Sequence, residues 1–152
     1  MNRQVHTTFC DDIRHEVGGK FSYIGIYSDK MLVSPVPSVL PKLCLAMSVI
    51  TPLISPFRRL AIRVLKDDEE LARRDFSESE LLTFDKVLAN LTEAERQDRV
   101  QVIRAIFVFS PFQIAAPCTL KVRVDTEEKD ELRGIGLRIE QAPPQLLEQQ
   151  SR

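Results

Sequence analysis

Apolar and polar residues alternate along most of this chain, and alternation with a period of two marks strands with one dry and one wet face. In residues 59–64, Leu60, Ile62 and Val64 share a face while Arg59 and Arg63 point the other way. Lys121 and Arg123 interleave with Leu120, Val122 and Val124, and Ile135, Leu137 and Ile139 alternate with Gly136, Arg138 and Glu140. One wet face per strand suits antiparallel sheets. Residues 21–27 (FSYIGIY) and 43–50 (LCLAMSVI) are apolar enough to read as central strands. Residues 100–109 (VQVIRAIFVF) read as a core strand covered on both faces. Their β-branched and aromatic content, and the following Pro111, favour strand over helix. Residues 5–13 and 31–33 add a first strand and a short one.

Polar turns punctuate these runs at Gly18-Gly19, at residues 28–30, 66–69 and 126–130, with hairpins expected at 66–69 and after Asp125. The prolines fall between strands, where a missing N–H does no harm. One stretch departs from the pattern. Leu81, Leu82, Phe84, Val87, Leu88 and Leu91 recur at helical spacing, which places a helix near residues 79–90. Thr92-Glu93-Ala94-Glu95 matches a capping box that starts a second, short helical turn. The expected fold is therefore mainly β: an immunoglobulin-like or similar antiparallel β-sandwich of eight or nine strands with one helical insertion near 79–97. It forms a single domain over 1–142, with the insertion spanning 77–97. Residues 143–152 are expected to form a flexible tail, with Leu146 and Leu147 as its only apolar anchors.

The chain has 152 residues, 43% of them hydrophobic and 28% charged, enough to bury a core without disulfides or metals. Lys and Arg (21) nearly balance Asp and Glu (22), so no overall field draws it to nucleic acid or lipid. The balance hides a dipole: residues 66–99 carry a net charge of −5 and the rest +4. The uncharged stretch of residues 43–57 is interrupted by Pro52 and Pro56 and is too short to span a bilayer. No signal-peptide layout opens the chain. Cys10, Cys44 and Cys118 are odd in number and widely spaced, which points to a reducing, cytoplasmic setting.

Candidate chemistry concentrates near the amino terminus. His6, Cys10 and Asp12 would share one face of a strand over residues 5–13 and are the candidate metal ligands. Asp11 lies on the opposite face, with His15 and Glu16 expected in the turn before Gly18. Asp11, Asp12, His15 and Glu16 are the candidate catalytic groups of a small metal-assisted hydrolase, in which carboxylates beside a histidine would move a proton. The plainer reading of the same residues is a strand end running into a polar turn. GxSxG, HExxH and phosphate-loop motifs are missing. Arg58, Arg59, Arg63, Lys121 and Arg123 would form an anion-binding face for a nucleotide or nucleic acid if they gathered on one sheet. Alternating cations on a wet strand are also ordinary solvation and edge protection.

The run from Phe9 to Glu16 (FCDDIRHE), then Gly18-Gly19-Lys20-Phe21-Ser22, Ile24-Gly25-Ile26-Tyr27 and residues 40–45 (LPKLCL) resembles a small uncharacterised family of bacteria, phages and prophages. The likeness is most specific over residues 7–52. Members carry no assigned activity, cofactor or catalytic residue, so it implies a bacterial or phage cytoplasm and transfers no site. Together these readings point to a non-enzymatic protein-binding module without cofactor. It would pair with a partner protein or with itself as a homodimer, through a sheet edge or an apolar face, and use neither nucleic acid nor membrane. In a phage or prophage setting it would act on a host protein.

Overall fold

The computed structural model describes residues 2–149, except for the side chains of Phe84, Asp85, Val87, Leu147, Glu148 and Gln149. Along them run β1 (Gln4–Glu16), β2 (Lys20–Ile26), β3 (Lys30–Val33), β4 (Ser38–Leu40), β5 (Leu43–Pro52), β6 (Leu60–Lys66) and β7 (Glu69–Phe76). Then come α1 (Glu78–Leu88), α2 (Glu93–Gln97), β8 (Val100–Phe109), β9 (Phe112–Ile114), β10 (Cys118–Thr126), β11 (Leu132–Gln141) and α3 (Pro144–Gln149). A four-stranded sheet has the order β2-β1-β5-β8, and a five-stranded sheet the order β3-β11-β10-β6-β7. The chain is mainly β and of sandwich type, as the alternation indicates. Two three-residue strands too short to read by pattern, β4 and β9, pair only with each other. β3 lies parallel to β11, so the five-stranded sheet is mixed rather than antiparallel throughout.

The residues group into two compact units: Met1–Thr7, Met47–Ala105 and Lys121–Ile135 in one, Thr8–Ala46, Ile106–Leu120 and Gly136–Arg152 in the other. A single domain was expected over 1–142; the dividing line between the units cuts through β1, β5, β8, β10 and β11.

In the first unit, Leu60, Ile62 and Val64 of β6 and Val122 and Val124 of β10 are buried. Each such side chain contributes about 1.5–3 kcal/mol of hydrophobic stabilisation. β6 turns into β7 through Asp67, at φ 53°, a left-handed conformation that aspartate tolerates. β7 forms an edge of its sheet and carries Glu69, Glu70, Arg73, Arg74 and Asp75, which deters pairing with another chain. Both helices start on capping boxes. Ser77 Oγ accepts from Glu80 N (3.2 Å) and Glu80 Oε2 from Ser77 N (2.7 Å). Thr92 and Glu95 repeat the arrangement. Leu81 and Leu88 of α1 are buried while Leu82 is exposed, contrary to its place in the helical stripe. The side chains of Phe84 and Val87, in the same stripe, lie outside the described residues.

In the second unit, Leu43, Cys44, Leu45 and Ala46 of β5 are consecutive and all buried, as expected for a central strand. β2 is different. Expected to be central, it forms an edge of its sheet and is exposed on both faces. β8 likewise forms the opposite edge instead of a doubly covered strand: Ala105 is buried, but Ile106 and Val108 are exposed. Within the stretch expected to be a flexible tail, residues 144–149 form a short helix, and Leu147 and residues 150–152 fall outside the described side chains and residues respectively.

Candidate functional site

The hairpin of β1 and β2 concentrates the unusual features. Its strands pair antiparallel from Cys10↔Ile26 to Glu16↔Lys20, and Gly18 and Gly19, both at positive φ, take the chain around the tip. His15 and Glu16 thus belong to the strand, not the turn, because three residues, Val17 to Gly19, suffice to reverse direction. His15 packs edge-on against Phe21 at 4.8 Å, and Glu16 Oε1 accepts from Ser22 Oγ at 3.0 Å. Along β2, Phe21 and Tyr23 are about two-fifths exposed on one face, Ile24 equally and Ile26 61% exposed on the other.

Lower in the hairpin the two faces carry different chemistry. On one, the Asp11 carboxylate receives the Tyr27 hydroxyl and lies over Gly25, whose φ of 67° brings the backbone close. Burial, then the bond to Asp11, pushes the Tyr27 phenol well above its ordinary pKa. On the other, Asp12 Oδ1 is 2.9 Å from Lys42 Nζ and 2.9 Å from the Ile13 amide. The bond to Lys42 holds the Asp12 carboxyl below its usual range and raises Lys42 in turn. Cys10 donates to the Asp12 carbonyl at 3.4 Å, and burial, reinforced by nearby Cys44, raises its thiol to about 11. Burial raises Cys44 as well. Neither thiol is a ready nucleophile or metal ligand in that state.

The metal and hydrolase readings need convergence, and the side chains separate instead. His6 is exposed, Cys10 is buried, and Asp11 and Asp12 serve opposite faces with different partners. Among the described residues no three His, Cys, Asp or Glu side chains stand together as a metal would require.

The basic residues do not form an uncovered face either. Arg63 makes a bidentate pair with Asp125 (2.7 and 3.1 Å) and reaches Glu131 at 2.8 Å. Glu131 also pairs with Arg123 at 3.4 Å, and Lys121 meets Asp68 at 3.1 Å. Arg58 and Arg59 are exposed, and their amides bind Glu127. An open cleft of about 730 Å³ lies between Leu53, Ile54 and Pro56 on one side and Leu88 and Leu91 on the other. Its Arg96 donates to the carbonyls of Leu88 (2.8 Å) and Leu91 (3.2 Å), closing the end of α1 rather than awaiting an anion.

Three residues escaped sequence reasoning. Arg3 is a buried anchor with no local pattern to announce it. Lys42 and Tyr27 matter through partners distant in sequence. Gly25 was visible as an isolated glycine inside a strand, a sign of close approach by another group. Compared with family models, curated proteins and solved structures, the chain matches none. No described helix is long and apolar enough to cross a membrane.

Proposed function

We propose that this chain is a non-enzymatic protein-binding module whose contact surface is the outer strand of the β1–β2 hairpin. One observation carries the reading. β2 is an edge strand with Phe21, Tyr23, Ile24 and Ile26 exposed on its two faces, and Lys20, at its end, is its only charge. An uncharged apolar edge invites another strand, and proteins guard such edges with charge, proline or a bulge unless a partner covers them. β7, with five charged residues, shows the guarded form within the same chain. Added strands gain main-chain hydrogen bonds and pockets for alternate side chains, a common mode of protein recognition.

The resemblance to a family of bacteria, phages and prophages spans this hairpin and suits a phage- or prophage-encoded module acting on a host protein. The buried thiols of Cys10 and Cys44 suit a cytoplasmic setting. The test compares the wild-type chain with an Ile24→Lys variant as bait in host extract, after matching their thermal melts. A protein retained by the first and lost by the second supports the reading. Identical retained proteins would overturn it.

A further inference from the structure

We infer that the first unit binds a small organic monocarboxylate with an apolar body, in a cavity between β7, α1 and β8. The cavity has a volume of about 360 Å³, and its lining includes Arg74 and Phe76 of β7, Glu80 of α1, and Val102, Ile103 and Arg104 of β8. These residues all belong to one unit, and the site does not depend on the β2 edge.

The first observation is where Arg74 points. The β6–β7 register sets Arg74 opposite Ile62 and Phe76 opposite Leu60. Directly opposite residues share a face, and both Ile62 and Leu60 are buried. Arg74 therefore stands on the core side of its strand, its guanidinium 4.6 Å from the centre of the Phe76 ring. An inward charge on an edge strand also discourages pairing with another chain. That role requires neither a cavity nor a second cation beside it.

The second is that both cations keep their donors. Arg74 is 3.8 Å from Glu80 and makes no hydrogen bond among the described residues. The other Glu80 oxygen is committed to the Ser77 amide at 2.7 Å. Arg104 is exposed and has neither a hydrogen bond nor an ion pair among the described residues. Arg63, Arg73 and Arg138, by contrast, reach carboxylates at 2.7, 2.9 and 3.3 Å.

The third is the balance of charge and carbon. Among the described lining residues, two arginines stand against one carboxylate, an excess of one positive charge. Arg73 and Asp75 bond to each other on the opposite face of β7 and do not enter the count. A single excess charge matches a monoanion rather than a phosphate dianion, and the planar guanidinium suits a carboxylate. Thr83, also in the lining, spends its hydroxyl proton on the Ser79 carbonyl at 2.9 Å, which leaves the guanidiniums as donors. Phe76, Val102 and Ile103 offer carbon to the body of the ligand. The volume falls toward the lower end for small-molecule sites.

Amide NMR of the labelled chain tests the inference, with benzoate as the probe and neutral benzamide as its isostere, at fixed ionic strength. Benzoate is expected to shift the amides of residues 74–76 and 102–104 saturably. Benzamide should bind about tenfold more weakly, because it lacks the charge that strengthens bonds to arginine. Arg74→Gln and Arg104→Gln are each expected to weaken benzoate by about the same factor. Should Arg74→Gln fold poorly, Arg104→Gln still decides, since an exposed side chain without a described partner leaves the melt unchanged. Absence of saturable shifts at these amides, equal binding of benzamide, or benzoate binding unaltered by Arg104→Gln would overturn the inference.

Discussion

The carboxylate of Asp11 occupies the space that a side chain at Gly25 would need: an added Cβ would come within 2.8 Å of Asp11 Cγ. Glycine is required there twice over, by that approach and by its φ of 67°. Gly25→Ala is expected to cost roughly 2 kcal/mol, from left-handed strain together with displacement of Asp11. Chemical denaturation measures it. Pairing the change with Asp11→Ala should recover part of the loss, because the clash goes and the strain remains.

The same carboxylate sets how the hairpin responds to alkali. Burial and the hydrogen bond to Asp11 raise the Tyr27 phenol above its ordinary value of 10.0. Above pH 10 the unfolded chain releases this proton while the folded chain keeps it, so folding stability falls as pH rises. Below pH 10 both states hold the proton and stability is flat with respect to this group. The chain has two tyrosines, so a Tyr23→Phe background isolates Tyr27 in an ultraviolet absorbance titration. Asp11→Asn is expected to lower the midpoint toward 10. An unmoved midpoint would show that burial alone raises it.

Arg3 anchors the first unit. Its side chain, 5% exposed, pairs with Glu127 and lies 4.6 Å over the Phe57 ring. Its Nε donates to Thr51 Oγ1 at 3.1 Å, and Nη2 reaches the carbonyls of Ser55 and Pro56. Arg3→Met should cost about 3 kcal/mol, the low end for breaking a buried pair, since Glu127 is 30% exposed. Burial alone would raise the Glu127 carboxyl. The Arg3 guanidinium and the amides of Arg58 and Arg59 outweigh it and hold Glu127 below its ordinary 4.5. That contribution is complete above pH 4.5 and is lost as pH falls through the lowered value. Urea denaturation at a series of acid pH values should show a shallower loss in Glu127→Gln than in the wild type.

The contrast between Arg3 and Thr92 shows what the sequence discloses. The Thr92–Glu95 capping box is a three-residue relationship and was legible, and Ser77–Glu80 carried the same signature unread. Alternation revealed the long strands because each side chain's face follows from its parity. It could not reveal their order, which depends on pairings across many residues. FSYIGIY therefore reads like LCLAMSVI although one strand is an edge and the other central. The basic residues misled for the same reason: Arg63 meets Asp125 and Glu131 from 62 and 68 positions away. In the hairpin, the polar cluster was visible as composition, but which carboxylate serves which face depends on Lys42 and Tyr27.

The buried thiols should be slow to react. Cys10 and Cys44 lie in adjacent strands with their thiols raised by burial, Cys10 to about 11, so little thiolate exists at pH 8. A disulfide-exchange reagent at pH 8 is expected to modify Cys10 and Cys44 only at the rate at which the protein opens, and at once in denaturant. Rapid modification of either in the folded protein, read by mass spectrometry, would contradict this burial.

Gly134 offers the most sensitive test of packing. A Cβ there would stand 2.7 Å from Thr7 Cγ2, 3.1 Å from Val5 Cγ1 and 3.2 Å from Val122 Cβ. These β-branched groups cannot swing aside as a long flexible side chain would. Gly134→Ala is therefore expected to destabilise by about 1–3 kcal/mol through overpacking. The nearest atom is a methyl group, and the same residue's hydroxyl donates to the Ile135 carbonyl at 2.6 Å. Thr7→Ser removes the methyl and keeps the hydroxyl. Alone, it should cost about 1 kcal/mol or less; combined with Gly134→Ala, it should recover most of the loss. A double-mutant cycle by urea denaturation measures the coupling. Strict additivity would mean that Thr7 is not the group that forbids a side chain at residue 134.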